Sequence, residues 1–140
     1  MIFFKESPLI KTFQILSKKW TIEIITELFK GRKRFTDLLE IDSALTSKIL
    51  SERLKLLLNE GIIDKIIINM MPLKVKYQIT NKGRSLNKIF YEMSVFTCTF
   101  YPEKVFNEQT YNQTQIIKEL RLLFQLDKEN FEEIKKNYFL

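Results

Sequence analysis

The chain has 140 residues, 45% of them hydrophobic and 29% charged, a composition that fits one folded domain with a small appendage and excludes a disordered polymer. Lys and Arg outnumber Asp and Glu by 23 to 17, and the net charge of +6 favours an anionic partner such as nucleic acid. With no histidine and a single cysteine, Cys98, the chain excludes a histidine-based triad, a histidine-ligated metal, a cysteine zinc cluster and an intrachain disulfide.

No metal and no cofactor are therefore expected, and no carboxylate pair stands out by its spacing, so an enzyme is not expected either. The opening residues Met1-Ile2-Phe3-Phe4-Lys5-Glu6 meet charge at once. No apolar run approaches the ~20 residues that span a bilayer. A cytoplasmic location is expected.

From Pro8 to Phe29 apolar residues recur at three- and four-residue steps, which predicts two helices, with Pro8 in a first turn and Gly31 closing the second. A short helix is predicted over Phe35–Glu40. Thr46 or Ser47 then caps a helix to about Asn59, with Leu50, Leu54, Leu57 and Leu58 on one face. The β-branched run Ile62–Asn69 and the alternating run Lys74–Ile79 predict two antiparallel strands joined by a turn over Met70–Leu73. Thr80 is positioned to cap one helix reaching about Phe100, where Pro102 ends it. Further helices are predicted over Thr110–Phe124 and beyond Asp127.

Helix, helix, short helix, helix, hairpin, helix is the order of a winged helix-turn-helix: a mostly α fold with a two-stranded β-wing and, here, extra C-terminal helices. In such a unit the second helix of the helix-turn-helix enters the major groove by its N-terminal turns. That end carries Thr46, Ser47, Lys48, Ser51, Glu52 and Lys55. Hydroxyls and lysines hydrogen-bond bases or phosphates, and Glu52 can accept from a cytosine amine. A polar helix face is by itself ordinary, but two neighbours reinforce it. Lys30, Arg32, Lys33 and Arg34 form a basic turn before the short helix, and Lys65, Lys74 and Lys76 decorate the hairpin. Residues 1–100 hold 17 basic and 10 acidic side chains, whereas residues 101–140 hold 6 and 7. The excess belongs to the winged-helix portion, residues 1–100, and residues 101–140 are expected to form a helical extension used in packing or dimerisation.

The runs Leu16-Ser17-Lys18-Lys19-Trp20, Gly31 with Arg34-Phe35 and Leu38, Leu50-Ser51-Glu52-Arg53-Leu54, Gly61-Ile62 and Tyr77-Gln78-Ile79-Thr80-Asn81-Lys82-Gly83 resemble, in order and spacing, the HxlR family of transcriptional regulators. The resemblance covers roughly residues 7–100. It implies a DNA-binding homodimer, often a repressor, on double-stranded DNA, with residues 8–17 and 81–100 building the dimer interface. It also implies Arg34, Ser47, Lys48, Ser51, Glu52 and Lys55 as DNA contacts, and Lys74 and Lys76 as the basic wing. Many members open the domain with Cys-Pro, some using that cysteine to sense electrophiles or oxidants. Here the pair is Ser7-Pro8. Cys98, between Phe96 and Phe100, is expected to be buried and inert. Tyr91, Phe96, Phe100, Tyr101, Phe106 and Tyr111 are read as interface and core rather than as the lining of a small-molecule site. The alternative reading is a winged helix kept as a protein-interaction module, suggested by the apolar wing residues Ile66, Ile67, Ile68, Met70 and Met71.

Overall fold

Ser7 caps the first helix through its Oγ, which accepts the Leu9 N–H, and Pro8 occupies the first turn, where a missing N–H costs no bond. The computed structural model describes residues 4–107 and 112–127. Helix α1 (Pro8–Leu16) is followed by α2 (Thr21–Phe29), α3 (Phe35–Leu39) and α4 (Ser47–Asn59), then strands β1 (Ile63–Met70) and β2 (Leu73–Ile79). Helices α5 (Asn81–Arg84) and α6 (Asn87–Phe100), a 3-10 turn at Pro102–Lys104 and α7 (Gln113–Leu123) complete the described chain. The predicted helices over 8–29, 35–40 and 46–59 and the hairpin all form. The helix predicted beyond Asp127 lies outside the described residues.

The core gathers on the inner faces of α2, α3 and α4. Ile24, Ile25 and Leu28 of α2 meet Leu38 of α3 and Leu50, Leu54 and Leu57 of α4, all buried. Burial of each such side chain contributes roughly 2 kcal/mol. Trp20, at the turn into α2, is buried with a positive φ of 75°, an uncommon conformation for a bulky residue that its packing must hold in place.

Helix α4 ends on a glycine motif. Gly61 (φ 70°) bonds back to the Leu58 carbonyl, and the Ile62 N–H to the Leu57 carbonyl at 3.0 Å. This reversal sends the chain directly into β1. Thr80, at the far end of the hairpin, donates its hydroxyl to the Gly61 carbonyl at 2.6 Å and accepts the Gly83 N–H at 3.0 Å. Lys82 reaches the Glu60 carbonyl at 2.5 Å. The base of the hairpin is thereby fastened to the end of α4.

The single helix expected after Thr80 is instead two, α5 and α6. Ser85 donates its hydroxyl to the Lys82 carbonyl at 2.5 Å, and the Leu86 N–H bonds three residues back to Gly83. Such local bonds compete with the α-helical ladder and let the chain change direction. Beyond Pro102, α7 lies against α6. Phe124 at its end meets Phe29 and Phe90 edge-on, with ring centroids 5.5 and 5.9 Å apart, and Gln125 donates to the Phe29 carbonyl at 2.9 Å.

Candidate nucleic-acid interface

Helix α4 presents a polar sector because its apolar residues are used up on the other side. Leu50, Leu54 and Leu57 are buried, whereas Ser47, Lys48, Ser51, Glu52 and Lys55 are exposed. At 100° per residue these five lie within a continuous sector of about 140°. Thr46 is also exposed, but its Oγ1 accepts the Ile49 N–H at 3.3 Å, so it is the helix cap and keeps only its hydroxyl hydrogen for another partner. Glu52 lies 4.0 Å from Arg53.

Arg53 sets the orientation of this helix. Its Nε donates to the Lys19 carbonyl at 2.8 Å, tying α4 to the turn between α1 and α2. Its place in the sequence does not mark it as a DNA contact. The available signal was a cation beside the leucine stripe, where a charge stays only when it is bonded. Arg53→Ala is expected to lower stability by about 2 kcal/mol through loss of a charged hydrogen bond. A shifted urea midpoint at unchanged m value checks this.

The basic turn is attached to the wing by an arrangement that the hairpin pattern did not disclose. Lys33 and Tyr77 exchange both backbone hydrogen bonds, at 3.0 and 2.7 Å, making residue 33 a one-residue third strand on the outer edge of β2. Alternation then places Arg32 beside Gln78 and Arg34 beside Lys76, on the face opposite Lys33 and Tyr77. The Arg32 Nε indeed donates to Gln78 Oε1 at 3.2 Å.

The same logic divides the wing lysines. Ile63 pairs with Ile79, Lys65 with Tyr77, Ile66 with Lys76 and Asn69 with Lys74, with an irregularity between Ile67 and Asn69. Lys74 and Lys76 thus share the outer face with Arg32 and Arg34. Lys65 and Lys33 lie on the face that carries the buried Ile63, Tyr77 and Ile79, and Lys33 comes to 4.0 Å from Glu27 of α2. The three hairpin lysines expected on one surface are therefore split between the two faces of the ladder, Lys74 and Lys76 on one and Lys65, itself exposed, on the other, because register and not spacing assigns the face. The wing tip is apolar and exposed, with Met71 90% accessible and Ile67, Ile68, Met70 and Leu73 open beside it.

The family model described as HxlR-like helix-turn-helix matches residues 15–105. The chain belongs to this family. The HTH-type transcriptional regulators YvaP and YodB of Bacillus subtilis (strain 168) are 37% and 36% identical to it over 84 and 88 residues, covering 60% and 63% of this chain and 78% and 79% of theirs. The solved structure of the reduced form of YodB superposes with a TM-score of 0.63 at 33% identity, over 70% of this chain and 96% of that one. A regulator of the MarR family from Enterococcus faecalis V583 reaches 0.66 at 25% identity, over 74% and 94%. The HxlR-like relatives are transcriptional regulators, not enzymes, and this chain is a winged helix-turn-helix of that class.

In this HxlR-like chain several of the residues that carry the resemblance prove to be structural: Trp20 in the α1–α2 turn, Arg53 under α4, and Gly83 against β1. Ser7, standing where many members have cysteine, caps α1. Cys98 sits half-buried on α6, and burial pushes its thiol pKa up, away from the thiolate that reacts. Glu60 is held below the usual carboxylate range, chiefly by the hydrogen bond from Lys11 of α1 at 2.9 Å. Among the described residues no helix is long and apolar enough to cross a membrane.

Proposed function

We propose that this chain is a sequence-specific, homodimeric transcription repressor that sets α4 in the major groove of double-stranded DNA and lays the outer face of its wing along the phosphate backbone. The observation that carries the reading is the exposed hydroxyl-and-lysine sector of α4. Leu50, Leu54, Leu57 and Arg53 hold it in one orientation, beside a hairpin whose outer face is basic. Ser47 and Ser51 are the base readers, with Lys48, Lys55 and Glu52 flanking them. Arg32, Arg34, Lys74 and Lys76 hold the backbone. Lys33 and Lys65 contribute less, since they lie on the opposite face of the ladder from that group.

Self-association has its own support. Leu9, Ile10 and Phe13 of α1 are exposed, as are Ile89, Met93, Phe96 and Phe100 at helical spacing along α6. Apolar stripes of this extent on a monomer mark an interaction surface. They fall on the two segments, 8–17 and 81–100, that the family resemblance assigns to the dimer. Residues 1–100 then act as the DNA-binding domain and residues 101–140 as its helical extension.

A two-fold dimer reads an inverted repeat with half-sites ~10 base pairs apart or a multiple of that. Selection from random duplexes at low salt is expected to enrich such a repeat. Failure to enrich any sequence would refute the reading. Lys74→Ala should weaken all duplexes about equally and reduce the salt slope by roughly one unit. Lys65→Ala should leave that slope nearly unchanged, and equal slopes for the two variants would contradict the division of the wing.

The exposed wing tip favours a second reading, in which Ile67, Ile68, Met70, Met71 and Leu73 dock on a protein. A stoichiometric partner still retained by the Lys48→Glu/Lys55→Glu variant, and lost with Met71→Asp, would select it.

A further inference from the structure

Helix α7 does not close tightly on the helices beneath it. Between α2, α6 and α7 lies a cavity of about 370 Å³, within the range of small-molecule sites. The buried Phe90 and Phe124 border it, together with Leu120 of α7 and Thr26 of α2. The family match ends at residue 105, so that α7 wall is supplied by sequence outside the shared domain. Of the aromatics Tyr91, Phe96, Phe100, Tyr101 and Phe106 none borders the cavity, with Phe96, Phe100 and Tyr101 exposed elsewhere; Tyr111 lies outside the described residues.

The lining specifies a chemistry. Among the described residues no charged side chain borders the space, so an ion would enter without a counter-charge. Its polar groups include three hydroxyls, each with its hydrogen already donated one turn back along its own helix. Thr26 donates to the Ile22 carbonyl at 2.8 Å, Ser94 to Phe90 at 2.8 Å and Thr97 to Met93 at 3.1 Å. What these oxygens still offer is acceptor capacity. We infer that the cavity binds a small, uncharged, largely apolar molecule bearing a hydrogen-bond donor, such as a phenol or an indole, and that α7 is the wall that makes the site. It is separate from the α4 sector and the wing, so its test needs no DNA.

Cys98 borders the same cavity and is the chain's single cysteine, which makes its alkylation a reporter of occupancy. 1-Naphthol is the probe, and a maleimide at mildly alkaline pH is the alkylating agent. Calorimetry should show one saturable site per chain, and at naphthol concentrations about ten times the Kd alkylation should slow about ten-fold by mass action. 1-Naphthalenesulfonate, of similar size but charged, should neither bind nor protect. Ser94→Leu on α6, or Thr26→Leu on α2, should abolish the naphthol site while keeping the wild-type thermal melt. The variant that keeps the melt is the one read. Absence of a saturable naphthol heat overturns the inference, as does equal binding of the sulfonate or binding that survives the filling variant.

Discussion

Gly83→Ala is expected to be among the most damaging single-methyl additions in this chain, lowering stability by about 3 kcal/mol. A Cβ built at residue 83 would lie 2.2 Å from the Ile62 carbonyl oxygen and 2.7 Å from Ile79 Cγ1. The first of these is backbone, held by the Thr80 N–H at 3.0 Å, so it has no rotamer by which to retreat. Relief requires α5 to lift from the start of β1, which strains the Thr80 bonds that fasten the hairpin to α4. Gly61→Ala is the comparison. There the nearest atom is the flexible Lys82 Cδ at 3.8 Å, and only the positive φ of 70° resists, at about 1 kcal/mol. Chemical denaturation of the two variants should rank them in that order, and a Gly61→Ala loss equal to that of Gly83→Ala would contradict the close-approach argument.

Reversing both α4 lysines is expected to have the largest functional effect. Lys48→Glu/Lys55→Glu should lower DNA affinity by about two orders of magnitude at low salt and flatten the salt dependence by about two units of slope, one for each phosphate contact removed. Both side chains are exposed and neither enters an ion pair among the described residues, so the fold should be indifferent to the change. Fluorescence anisotropy on a selected duplex, with thermal melts as control, measures both quantities. Unchanged affinity would remove α4 from the interface. Loss of affinity accompanied by a lowered melt would contradict the placing of these lysines outside the core.

Apolar spacing carries much of this architecture, because burial on one side of a helix leaves a 3.6-residue record in the chain. The leucines at 50, 54 and 57 therefore announced both the helix and, by subtraction, the polar sector opposite them. The cap at Thr46 was legible because a hydroxyl before an apolar run has a local use. The break between α5 and α6 was not, since it rests on the Ser85 hydroxyl and the Leu86 N–H bonding back to Lys82 and Gly83, and the same residue types also occur within continuous helices. The role of Arg53 was not legible either, since its partner, the Lys19 carbonyl, lies thirty-four residues away in the chain.

What the sequence alone determined is the excess of positive charge, its confinement to residues 1–100, and the absence of the histidines and cysteine pairs on which several chemistries depend. These are properties of composition and order, and folding does not alter them. Which cations act together was decided only by tertiary structure. A one-residue bridge at Lys33 and the register of two strands send Arg32, Arg34, Lys74 and Lys76 to one face and turn Lys33 and Lys65 to the other. The physical reason is that a strand residue's face follows from its parity in the ladder, and an irregularity such as that between Ile67 and Asn69 resets parity without leaving a mark in the spacing of charges. The +6 of the whole chain is thus a quantity, and only the ladder makes part of it a surface.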